Sequence, residues 1–328
     1  MKLYARWFAP LSAALLAPML ALTCGTAGAQ AFPSRAVTMI VPVAPGGILD
    51  QSARMVAPAM GAALGQPVVI DNRPGASGNI GAVAVARAKP DGYTLLIGYS
   101  MFHVGNPAMF KDLQWDPLRD FTGVGMIAIA PHVITVNPAQ PFQTLKELVD
   151  YARANPGKLN YSTSGNGSVP HVGMELFKQL YKVEITHVPY KGAGPAFPDL
   201  IGGQVHVMFD NMPSSIEFIR GGKLRALGVT TAKRSSQLPD VPTVAETVPG
   251  YEASAWFGMG TPKGTPADVV AKLNREINDA LAEPKMKARL AELGGDPIAG
   301  TPADFWKIHT YETEKWAKVV KSSGAKVE

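Results

Sequence analysis

One cysteine occurs among 328 residues, and it lies at position 24. A chain with a lone thiol can build neither an internal disulfide framework nor a cysteine-rich zinc site. Charge of one sign is nowhere concentrated. Lys and Arg number 31 against 26 Asp and Glu, a formal +5, and no basic cluster stands out. That balance gives no electrostatic footprint for nucleic acid. After the first thirty residues no apolar run reaches the length of a membrane-spanning helix. The usual catalytic signatures are missing as well. There is no Gly-x4-Gly-Lys-Ser/Thr phosphate loop, no Gly-x-Gly-x-x-Gly turn, no Gly-x-Ser-x-Gly elbow and no His-Glu-x-x-His pair. The six histidines (His103, His132, His171, His187, His206 and His309) show no metal-ligand spacing. Neither a resident metal nor a cofactor is expected. His187 and His206 sit in apolar strands and are expected to be satisfied core or edge residues.

The first thirty residues carry Lys2 and Arg6 and no acid. An apolar stretch interrupted by two prolines follows, and then two small-x-small sites, Ala27-Gly28-Ala29 and Ala29-Gln30-Ala31. This is the pattern of a secretory signal peptide, cut near residue 29 or 31. Leu22-Thr23 fits poorly the small residue that lipidation of Cys24 would need. The mature chain is therefore expected outside the cytoplasm, in a bacterial periplasm, with no thiol at all.

From Val37 onward apolar strands alternate with helical segments. The runs "VTMIVPV", "VVIDN" and "TLLIG" bracket two helices and give βαβαβ, a parallel arrangement. The alternation then repeats. "GVGMIAIAPHVITVNP" is long enough for a strand that continues from one domain into another, and "YEASAWFGMG" reads as a long return strand. The expected organisation is a signal peptide over 1–30, a first α/β domain over 31–130 plus 252–328, and a second over 131–251. Trp256 and Phe257, in the return strand, are expected in the core.

Ala44-Pro45-Gly46-Gly47 follows the first strand, and Asp50 stands early in the next helix. Two glycines let a backbone approach a ligand, and a helix start offers unpaired N–H groups with a positive dipole end. That suits a carboxylate; equally, such a turn can be purely structural. The pattern recurs at other strand ends. Ser100 follows the third strand. Ser164, Gly165, Asn166, Gly167 and Ser168 follow another, and so do Tyr190, Lys191 and Gly192. Asp210 and Asn211 end a fifth. Loops at the carboxyl ends of parallel strands form ligand clefts in α/β folds.

The segments "VPVAPGGILDQSAR", "GQPVVIDNRPGASGNIGAVAVARAKPDGYTLLIG", "NYSTSGNGSVPHVGMELFK", "HVPYKGAGPAFPDLIGGQVHVMFDN", "GKLRALGVTTAKRSSQLPDVPTVAE" and "PGYEASAWFGMGTPKGTP" resemble the substrate-binding proteins of tripartite tricarboxylate transporters, the Bug family. The resemblance spans nearly all of the mature chain. It implies a two-domain periplasmic-binding-protein-like (type II) fold, α/β, with mostly parallel sheets joined by two hinge strands. It implies a periplasmic receptor that closes over a small carboxylate and delivers it to a membrane permease of two subunits; the receptor itself is expected to be a monomer. Carried over residue by residue, the ligand contacts are Ala44, Gly46, Gly47 and Asp50, then Ser100, then Ser164, Asn166, Gly167 and Ser168, then Tyr190, Gly192 and Asp210. No catalytic residue is implied. Ile48-Leu49 departs from the small or hydroxyl residue usual after the two glycines, which tilts the expectation toward an aromatic or less polar carboxylate. Two other functions use the same features: a sensor subunit that signals ligand occupancy, and a hydrolase with Asp50 or Asp210 as base.

Overall fold

Pro131 divides into two what the sequence presents as one long strand. Lacking an N–H, it cannot carry a ladder onward. β4 (Phe121–Ala130) ends before it, and β5 (His132–Val136) starts after it in a different sheet. The computed structural model describes residues 32–45, 48–100, 106–110, 112–165, 168–190, 193–292 and 295–323. The expected signal peptide lies outside them.

The first sheet also holds β1 (Val37–Val41), β2 (Val68–Asn72), β3 (Thr94–Tyr99), β10 (Ala255–Pro262) and β11 (Asp296–Pro297), in the order β11-β4-β10-β3-β1-β2. The second holds β6 (Leu159–Thr163), β7 (Ile185–Pro189), β8 (Val207–Asn211) and β9 (Arg225–Val229) with β5, in the order β7-β6-β8-β5-β9. Both sheets are mixed. β1 pairs in parallel with β2 and β3, and β6 with β7 and β8. The strands that arrive from the other sheet run the opposite way. β10 is antiparallel to β3 and β4, and β5 to β8 and β9.

That reversal has a geometric cause. Strands native to each sheet end at the edge facing the other sheet, so a chain crossing over must begin there and run away from it. The C-terminal ends of β1, β3, β6 and β8 and the N-terminal ends of β5 and β10 consequently share one edge. Register agrees: His132 pairs with Asn211 and Phe257 with Tyr99.

Each sheet has its own buried core. In the first, Met39, Leu95, Ile97 and Met259 pack under the helices Ile48–Leu64 and Ala267–Ala282. In the second, Ile134, Tyr161, Val207 and Phe209 pack under Leu145–Ala154 and Val169–Tyr181. Thr144 caps the former of these two, accepting from the Glu147 amide, as its sequence position predicts. The C-terminal helix Pro302–Ser323 joins the second cluster through Phe305, Trp316, Val319 and Val320, although its sequence position pointed to the first domain. It lies on both sides at once. Ser322 Oγ donates to Gln179 Oε1 at 3.0 Å in the second sheet's layer, while Phe305 presses on Gly258 of β10.

Candidate functional site

A cavity of about 230 Å³ opens where the two sheet edges meet. From the first sheet's side Val43 and Leu49 line it, the residues that precede and begin the Ile48–Leu64 helix. From the second come Ser164, Ser168, Val169 and Pro170, around the start of the Val169–Tyr181 helix. His132 and Asn211 contribute from the paired ends of β5 and β8, and Ala255 and Phe257 from the start of β10. The N-terminal ends of two helices from opposite sheets thus border one space. Unpaired helix N–H groups and the positive dipole ends favour an anion there.

The second-sheet wall is rigidly built. Ser168 is the N-cap: its hydroxyl accepts from the His171 amide and donates to the Gly165 carbonyl at 2.7 Å. Gly165 holds φ +132°, a conformation that a side chain would strain. Its amide donates to Thr163 Oγ1, which also meets His187 Nε2 at 2.7 Å. His187 stacks on His171 at 4.1 Å and on Tyr161 at 4.8 Å. Burial, with His171 adding to it, pushes His187 down to about 3, so the stack is uncharged at neutral pH. Tyr161 in turn donates to Glu175, which also holds Lys178. His187 and His206 both have partners, the latter meeting Asn160, as expected of structural histidines.

The first-sheet wall hangs on Asp50. Arg54 Nε donates to its Oδ2 at 2.9 Å and Asn72 Nδ2 to its Oδ1 at 2.9 Å. The same Asn72 nitrogen reaches the Val43 carbonyl at 3.1 Å. The Asp50 carboxylate is therefore engaged in holding the loop that carries Val43, and it sits in the first turn of its helix, where its charge complements the dipole.

The other expected site residues fall as follows. Ser164 and Ser168 line the cavity. Ala44 is exposed in the loop beyond Val43. Ser100 is buried after β3, with a hydroxyl that has no partner among the described residues. Tyr190 donates to Asp199 Oδ2 at 2.6 Å, packs on the Phe197 cluster, and its phenol is pushed up to about 12 by burial. Asp210 neighbours Asn211 on β8 and so points to the opposite face of the sheet. It is fully buried, accepts from Ser215 Oγ at 3.3 Å, and burial raises its carboxyl to about 7. Gly46, Gly47, Asn166, Gly167 and Gly192 lie outside the described residues, as do Met101, His103 and Lys191.

Among the described residues no cluster of His, Cys, Asp and Glu could hold a metal ion, and no helix is long and apolar enough to cross a membrane. The receptor model of the tripartite tricarboxylate transporter family, TctC, matches residues 52–325. The chain belongs to that family. BugT of Bordetella pertussis is 38% identical to this receptor over 301 residues, 91% of this chain and 92% of BugT. Among solved structures, R. palustris Rpa4515 with adipate is 42% identical with a TM-score of 0.77, covering 90% of this chain and all of that one. MatC (Rpa3494) from Rhodopseudomonas palustris with bound malate is 36% identical with a TM-score of 0.73, covering 88% of this chain and all of that one. The two mixed sheets with helices of this chain match the α/β fold of these solved structures.

Of the ten described lining residues, Ser164 and Ser168 stood among the expected ligand contacts and the other eight did not; His132, Phe257 and Leu49 show why. His132 and Phe257 lie on the strands expected to cross between the halves, and a crossing strand must start at the shared edge; that corollary would have found them. Phe257 is both core and cavity wall. His132 is buried, with Nδ1 unpartnered among the described residues, and burial pushes it down to about 3, so it faces the cavity as a neutral ring. Leu49 was noted only for what it displaces.

Proposed function

We propose that this receptor is a periplasmic solute-binding protein that captures a small carboxylate between its halves by closing them, and delivers it to a tripartite tricarboxylate-type membrane permease. The observation that carries this is the cavity bordered by two helix N-termini from opposite sheets. The names of two solved relatives, with adipate and with malate, support the ligand class. Residues 1–30 would be removed on export. The closing bodies would be 31–130 with 252–328, and 131–251. Backbone amides at Ala44, Gly46 and Gly47 and at Asn166, Gly167 and Gly192 would meet the acid group with the hydroxyls of Ser100, Ser164 and Ser168, while Asp50, Tyr190 and Asp210 would hold the loops. Hydrogen bonds to a charged group contribute about 1.5–3 kcal/mol each, so a few offset the cost of ordering the ligand. The acid is bound and released unchanged.

Calorimetry and small-angle scattering with a panel of small acids test this. Binding with a smaller radius of gyration and no product is expected. Ser164→Asp, which sets a like charge against the ligand, should abolish binding with the fold intact. Turnover, or unchanged affinity in that variant, would overturn the assignment.

A further inference from the structure

The cavity is chemically lopsided. Its polar side chains among the described residues (His132, Ser164, Ser168 and Asn211) all come from the second sheet or from loops and helices attached to it. The first sheet and its loops contribute Val43, Leu49, Ala255 and Phe257, every one apolar. No Lys, Arg, Asp or Glu lines the space among the described residues. His132 is neutral, so it offers a dipole and not a cation.

A second ionised group set against the Leu49 and Phe257 side chains would lose its water and meet no polar side chain from the first sheet among the described residues, a large cost. A hydrocarbon or aromatic body there would instead be stabilised by burial. The cavity, about 230 Å³, is also smaller than the roughly 300–1,000 Å³ typical of sites for drug-sized ligands, so the body must be compact.

We propose that this receptor selects small monocarboxylates with an apolar body, the single acid group held at the two helix N-termini and the body against the side chains of Val43, Leu49, Ala255 and Phe257. This rests on the carboxylate-receptor reading above and divides the chain from its relatives named with adipate and malate, both dicarboxylates.

Calorimetry on the purified receptor, stripped of retained ligand, should compare benzoate and hexanoate with adipate and malate, and with benzamide and hexanamide. The expected result is at least tenfold tighter binding of one or both monocarboxylates than of either dicarboxylate, and loss of binding by the amides. Adipate or malate binding as tightly overturns the apolar-body assignment and leaves the carboxylate receptor standing. Amides binding as well as acids, or no acid binding at all, overturns the underlying reading too. Val43→Arg supplies a cation at the apolar side on a half-buried loop position. It should raise the affinity ratio of adipate to hexanoate at least tenfold; an unchanged ratio removes the first-sheet wall from selectivity.

Discussion

The His132 amide donates to the Thr230 hydroxyl at 2.9 Å, and the Thr230 amide returns a bond to the His132 carbonyl at 3.0 Å. The Thr230 carbonyl meanwhile accepts from Ala253 at 3.1 Å. One buried threonine therefore ties the outgoing crossing to the returning one. Thr230→Val keeps the shape and removes the hydroxyl, stranding a buried N–H. A loss of about 1–3 kcal/mol is expected, read by urea denaturation, with weaker ligand binding because both crossings border the cavity.

Asn72 bridges Asp50 and Val43. Asn72→Ala should free the first loop at a cost of about 1–3 kcal/mol, and hydrogen exchange should rise around Val43 while β6 and β8 stay protected. Exchange unchanged at Val43 would remove Asn72 from loop positioning.

Asp210 titrates near 7 in the folded state, against an ordinary carboxyl near 4, because burial disfavours its charge. The native state holds that proton more tightly, so its contribution is full below about pH 4 and is lost as pH rises toward 7. Asp210→Asn should thus gain on the wild type between pH 4 and 7 and hold the gain above, by at most on the order of 4 kcal/mol. Parallel denaturation curves across that range give the answer.

The histidines act in the opposite sense. Burial lowers His132 and His187 to about 3 and His309 to about 4. The unfolded chain takes up protons first, so stability present above about pH 6.5 declines as pH falls toward 3. Between pH 6.5 and 5 each contributes up to about 2 kcal/mol. His187→Gln should flatten this acid slope; an equal slope in the variant would acquit that residue.

Gly258 has no side chain because the Phe305 ring fills the space; an added Cβ would lie 2.7 Å from it. Gly258→Ala should cost about 1–3 kcal/mol through overpacking, and Phe305→Leu in the same chain should recover part of that. Strict additivity of the two changes would show that they do not meet.

The alternating strands and helices were legible because apolar runs and turn residues mark them locally, and the family match follows the same segments. The two crossings between the sheets were legible from the length of the runs around Pro131 and Ala255. What stayed hidden was long-range. Nothing near His132 announces that Asn211 will be its partner 79 residues on, and nothing near Asp210 says that its neighbour, not itself, faces the cavity. Strand phase decides that, and phase depends on pairing with distant chain. The position of the C-terminal helix across both layers was equally invisible, because an amphipathic pattern names a buried face but not its host.

β10 is inserted between β3 and β4. Until residues 255–262 arrive, the strands made first form two fragments with an empty seat between them, and filling it closes a loop of more than a hundred residues. The five strands of the central stretch, 132–229, form their sheet with one another and need no such wait, although later residues complete their core. A nascent chain would thus pair its middle sheet before its first, and a copy truncated short of Ala255 would keep one paired sheet with an uncovered core beside an unclosed one. Non-local docking of this kind is slow, which leaves the polypeptide threadable for longer after synthesis.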